Sequence, residues 1–147
     1  MELQELYNEV ITDHNQSGHN RRMLKAPSIE IPGKNPSCGD EITLSLVVKD
    51  GVIVDGAYTG IGCAVSQASA SIMLDLMRGK TLAEAEKLNR LFFGMVHGTA
   101  LTQEEQEELD EAMVLRSAVK MPARVKCATM PWHTMETAVK ELKGTPK

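Results

Sequence analysis

Apolar and polar positions change their period several times along this chain, and each change marks an element. Leu3, Leu6, Tyr7, Val10, Ile11 and His14 recur at helical spacing and predict an amphipathic helix at the N-terminus, ended by Asn15-Gln16-Ser17-Gly18. The polar, basic stretch from Asn20 to Lys25, followed by Pro27 and Pro32, reads as loop or short strand. Ile42, Leu44, Leu46 and Val48 then alternate with polar or small residues, the period of a half-buried strand. Asp50-Gly51 is a two-residue hairpin signal, and Val52 to Thr59 forms the return strand.

The second half is helical. Ala64 to Arg78 reads as a helix closed by Gly79, with small residues (Ser66, Ala68, Ser69, Ala70, Ser71) that allow close packing on a sheet. Thr81 with Glu84 is a capping box opening a helix that carries Leu82, Ala85, Leu88 and Leu91, with Phe92 and Phe93 following and Gly94 as a weak end. Thr102 with Glu105 is a second capping box, for an acidic helix from Gln103 to roughly Leu115 whose charges read as a solvated face. Met121-Pro122-Ala123 predicts a break. A last helix is expected from about Thr129 to Lys143, with Pro131 in its first turn and Met135, Ala138, Val139 and Leu142 inside. With no repeat, low-complexity tract or linker, one α+β domain over 1–147 accounts for the chain: a small antiparallel sheet with helices on one side.

Composition narrows the function. Sixteen Lys and Arg against twenty Asp and Glu give a net charge of −4, and aromatics are few, which argues against a nucleic-acid surface. No apolar run approaches the roughly 20 residues needed to cross a bilayer, and no signal-peptide core opens the chain, so a cytoplasmic location with reduced thiols is expected. The three cysteines cannot all pair, which leaves metal ligation, a reactive thiol or inert burial.

Their surroundings favour a shared site. Asn35-Pro36-Ser37-Cys38-Gly39-Asp40 puts a thiol and a carboxylate two residues apart on a tight turn. Two anions converging on one point call for a cation between them. Hairpin geometry returns the second strand beside the start of the first, so Cys63, three residues past Gly60, comes near Cys38. Cys63 precedes one helix and Cys127 is expected to precede another, where the dipole favours a thiolate by about 0.3–1 kcal/mol. The working site is therefore Cys38, Asp40, Cys63 and Cys127. Taken singly, each cysteine is as well explained as a small buried hydrophobe. His14 and His19 read as cap or surface residues, and His97 and His133 are spaced too loosely from the cysteines to be compelling ligands.

The motifs Asn35 to Asp40, Gly62-Cys63-Ala64-Val65-Ser66-Gln67-Ala68-Ser69 and Lys126-Cys127-Ala128, with Leu6-Tyr7 through Asp13-His14, resemble the iron–sulfur assembly family of IscU and the N-terminal part of NifU. Lys126 stands where the scaffold branch carries histidine, and an extra segment with the acidic run Glu104 to Glu111 precedes Cys127. Both features, with Arg124 to Thr129 and Trp132, resemble the SufU branch. The resemblance implies a SufE/NifU-like fold and a zinc site of Cys38, Asp40, Cys63 and Cys127. It implies sulfur acceptance on Cys38 from a SufS-type cysteine desulfurase that supplies a replacement ligand, and delivery to a downstream iron–sulfur scaffold. Composition and the lack of an apolar span lead to the expectation of no nucleic-acid or membrane partner. The alternative within the family is a scaffold holding a [2Fe–2S] cluster on the same four residues. Arg124 and Lys126 are candidates for stabilising added negative charge.

Overall fold

The Asp50-Gly51 pair turns the chain as its sequence demands, with φ of +53° and +76° at the two residues, both in the left-handed region that a two-residue hairpin requires. A computed structural model describes residues 3–18, 20–35 and 39–144. The turn joins β2 (Asp40–Lys49) to β3 (Val52–Ile61), and β1 (Ile29–Asn35) pairs antiparallel on the other side of β2 to give the order β1-β2-β3. The region around Pro32 is thus a full edge strand, where a residue without an N–H costs no ladder bond to a further strand. Ile42, Leu44 and Leu46 point into the core, and Asp40 shares their phase on β2. On β1, Ile31, Gly33 and Asn35 face the same way.

Helices cover that inner face. α1 (Leu3–Ser17) buries Tyr7, Ile11 and His14, whereas Leu6 remains exposed. His14 departs from the expected cap or surface role: its Nδ1 lies 2.7 Å from Ser71 Oγ and its Nε2 contacts Glu111. A polar ring can be buried there because both nitrogens find partners. His19 lies outside the described residues. α2 (Ala64–Met77) is central and buried on nearly every side, which its run of Ala and Ser permits. Gly79 follows with φ of +89° and stops it. α3 runs from Leu82 to Val96 behind the Thr81–Glu84 capping box, passing through Gly94, which does not end it.

Two further boundaries differ from expectation. The acidic helix α4 is short (Gln103–Leu109), and from Asp110 to Lys120 the chain winds as a 3-10 helix. Leu109, Ala112, Leu115 and Ala118 are buried at intervals of three residues, the period of a 3-10 helix, so core packing selects the tighter winding. The last helix, α5, starts at Pro122 and not near Thr129, and extends to Gly144. Proline suits a first helical turn, whose N–H groups have no helical partner, so Pro122 opens the helix where a break was expected. Cys127 therefore sits inside α5, and Pro131 in its interior.

α5 packs on β1 and α2. Trp132, fully buried, stacks on Phe92 with centroids 3.9 Å apart and planes 3° from parallel. Its Nε1–H donates to Ser69 Oγ at 3.0 Å, and that hydroxyl donates to the Ala128 carbonyl at 2.6 Å. This relay locks α5 to α2 one residue past Cys127. No helix among the described residues is long and apolar enough to cross a membrane.

Candidate metal centre

The register of the sheet decides where the site forms. Asn35 pairs with Asp40 across β1 and β2, and Glu41 with Ile61 across β2 and β3, so the chain leaves β3 beside Asp40. Gly60, at φ of +132°, makes this passage possible: a Cβ there would meet the Glu41 carbonyl oxygen at 2.1 Å and Ile42 Cα at 2.7 Å. Gly62 is needed for space alone, since its Cβ would fall 2.6 Å from Ser66 Oγ and 2.9 Å from Asp40 Oδ1. Cys63 then caps α2, accepting the Ser66 N–H on its sulfur at 3.5 Å. A helix N-terminus offers partial positive charge, which favours the thiolate.

Cys127 reaches the same place from the opposite wall. α5 approaches β1 closely because Gly33 has no side chain, a Cβ there meeting Thr134 Oγ1 at 2.1 Å. Ligand atoms of Asp40, Cys63 and Cys127 all lie within 4.8 Å of one another. In a tetrahedral zinc site with Zn–S near 2.3 Å, neighbouring sulfurs stand roughly 3.8 Å apart, so a small contraction brings this set to coordinating distance. Soft sulfur with one hard oxygen suits zinc, or iron with sulfide, better than magnesium or calcium. The donors present fit such a metal. Cys38, the fourth residue of the site expected from sequence, lies outside the described residues, as do Pro36 and Ser37.

Hydrogen bonds fix the donors. Asp40 is 2% exposed, and its Oδ1 accepts the backbone N–H of Cys63 at 2.8 Å. Cys127, 3% exposed, has its sulfur 3.6 Å from the Ala123 carbonyl one turn earlier. Among the described members, Cys63 is the solvent-facing one. It opens onto a cleft of about 430 Å³ lined by Tyr7, Ile11, Val65 and Arg124. Lys126 faces a second groove of about 310 Å³ behind Asn35, together with His133, whose ring stacks on Phe93 at 4.5 Å. His97 caps the end of α3. Neither histidine belongs to the Asp40, Cys63 and Cys127 cluster.

Reading the sequence missed one contributor. Asn35 is 5% exposed, and its amide nitrogen lies 3.4 Å from Asp40 Oδ2 and 3.7 Å from Cys127 Sγ. The signal was its phase: Asn35 falls on the same side of β1 as Ile31, and the same period places Asp40 with Ile42.

Comparison with known proteins agrees with this architecture. The family model described as NifU-like N terminal domain matches residues 6–128. The chain is 34% identical over 142 residues to the zinc-dependent sulfurtransferase SufU of Bacillus subtilis (strain 168), spanning 97% of this chain and 95% of that protein. It is 37% identical over 138 residues to the iron-sulfur cluster assembly scaffold protein IscU of Streptococcus pyogenes serotype M1, spanning 94% of this chain and 85% of that one. A solved structure, a putative iron-sulfur cluster assembly scaffold protein for the SUF system from Fervidobacterium islandicum AW-1, superposes with a TM-score of 0.85 at 32% identity, covering 92% of this chain and 97% of that chain.

Proposed function

We propose that this chain, which belongs to the NifU-like N-terminal domain family, is a zinc-dependent sulfurtransferase of iron–sulfur cluster assembly that accepts persulfide sulfur on Cys38 from a SufS-type cysteine desulfurase. The observation that carries this reading is the convergence of Asp40, Cys63 and Cys127, from β2, the start of α2 and the second turn of α5, on one point. Similarity along nearly the whole chain to the Bacillus subtilis sulfurtransferase supports it.

Cys38, Asp40, Cys63 and Cys127 are the residues assigned to hold the metal. Zinc, when bound, is redox-silent and keeps its cysteine sulfurs as thiolates at neutral pH. The chemistry at Cys38 is thiol exchange. Its thiolate attacks the outer sulfur of the desulfurase persulfide, a new S–S bond forms on Cys38, the S–S bond to the partner breaks, and the partner cysteine leaves as a thiolate. Atoms and charge balance, and no oxidant is consumed. Cys38 then carries the persulfide to a downstream iron–sulfur scaffold. Asp40, held by the Cys63 amide, supplies a donor of fixed orientation.

A second reading, a scaffold on which a [2Fe–2S] cluster is assembled on the same residues, draws support from the 37% identity to a streptococcal IscU. The test is sulfide release from cysteine by a SufS-type desulfurase, with and without this protein loaded with zinc. Strong acceleration that vanishes in Cys38→Ala is expected. No acceleration, together with a stable cluster after anaerobic reconstitution, would replace the first reading by the second.

A further inference from the structure

We infer that Asn35 is a positioning residue for the metal centre, acting through Asp40 and Cys127 and making that pair the fixed half of the donor set. This rests on the reading of the cluster as a metal site. The side chain is 5% exposed at the end of β1, on the inner face of the sheet, between Asp40 of β2 and Cys127 of α5. An amide nitrogen carries two hydrogens. Here the nitrogen lies 3.4 Å from Asp40 Oδ2 and 3.7 Å from Cys127 Sγ, within donating reach of both. Asp40 thereby has both oxygens oriented, Oδ1 by the Cys63 backbone and Oδ2 by Asn35.

The chemistry favours this role over simple gap-filling. Thiolates and a carboxylate around one divalent ion carry net negative charge, and a buried donor offsets part of it without supplying a competing ligand. An N–H to a ligating sulfur also draws electron density from it and strengthens under the added charge. Among the described donors Cys63, by contrast, is exposed, whereas Asp40 and Cys127 are buried. Ligand exchange with an incoming partner falls outside the pair of Asp40 and Cys127, because these two are tied to each other through Asn35.

The test uses zinc affinity by chelator competition and the thiolate-to-cobalt absorption of the Co(II)-loaded protein, for wild type, Asn35→Ala and Asn35→Asp. Losing the donor should weaken zinc binding about 10–100-fold in the alanine variant. The aspartate variant, equal in shape, also lacks the donor, but its charge attracts the cation, so its affinity should fall less than that of the alanine variant while both shift the cobalt band. Melting of the metal-free proteins separates a structural role. An alanine variant that binds like wild type, variants whose cobalt band is unmoved, or variants that have lost their metal-free folding transition overturn the inference while leaving the metal site standing. Wild type that holds neither metal overturns both.

Discussion

Gly60 offers the sharpest check on how the site is built. Replacing it with alanine forces an L residue into φ of +132° and drives a Cβ to 2.1 Å from the Glu41 carbonyl oxygen and 2.7 Å from Ile42 Cα. Those atoms are backbone, and Ile42 pairs with Gly60 in the ladder, so no side chain can swing away. Gly51 is the natural control: its φ of +76° is also unfavourable for alanine, but its Cβ would meet nothing within 4 Å. Gly51→Ala should therefore cost only the conformational part, about 1–2 kcal/mol. Gly60→Ala adds an overpacking part of about 1–3 kcal/mol, giving roughly 2–5 kcal/mol in total. Urea unfolding of metal-chelated protein reads the difference; with a slope of about 2 kcal/mol/M, the Gly60→Ala midpoint should fall by roughly 1–2.5 M. Chelation matters because bound metal would mask the loss by mass action. Zinc affinity should fall in the same variant, since the strand exit that carries Cys63 to Asp40 is displaced. Equal midpoints for Gly60→Ala and Gly51→Ala would refute the claim that backbone crowding at this exit sets the site.

Three other outcomes follow from particular contacts. Trp132→Phe keeps the stack on Phe92 but removes the Nε1–H donated to Ser69, and should lower stability by about 1–3 kcal/mol in thermal or urea unfolding. Asp40→Ala should weaken zinc binding markedly in chelator competition, because it removes one donor of the cluster, and should also lower the stability of the metal-free fold by about 1–3 kcal/mol, because the Cys63 N–H loses its acceptor. Arg22 hydrogen-bonds Asp55 at 2.7 Å and holds its carboxyl below the usual aspartate range, with the Gly56 N–H and Arg78 acting in the same direction against partial desolvation. A depressed folded-state value contributes stability above the unfolded value that is lost as pH falls through the folded one. Arg22→Ala should therefore destabilise by less than about 1 kcal/mol at neutral pH, given the exposure of both groups, and the difference should fade as pH drops below about 4.

Much of this molecule was legible before any coordinates, because the informative features are local. The alternation of Ile42, Leu44 and Leu46, the Asp50-Gly51 turn and both threonine capping boxes depend on neighbours within a few residues, and each formed where expected. The same locality explains the errors. Pro122 reads equally as a stop or a first turn, and only packing on β1 and α2 selects the long α5 that places Cys127 inside a helix. The acidic run from Glu104 to Glu111 suggested one continuous helix, but burial of Leu109, Ala112, Leu115 and Ala118 imposed a period of three.

The metal centre divides the same way. Residue types and local turns in the sequence named the candidate donors Cys38, Asp40, Cys63 and Cys127, the helix start at Cys63 and the hairpin that returns the chain beside the start of β2. Tertiary structure alone decided that Cys127, 64 residues beyond Cys63, joins them, and that Asn35 and His14 are buried with partners. Hairpin closure follows from turn chemistry a few residues long. The approach of α5 to the sheet depends on Gly33 meeting Thr134 and on Trp132 seated against Phe92 and Ser69, contacts whose partners are far apart in sequence and carry no periodic mark.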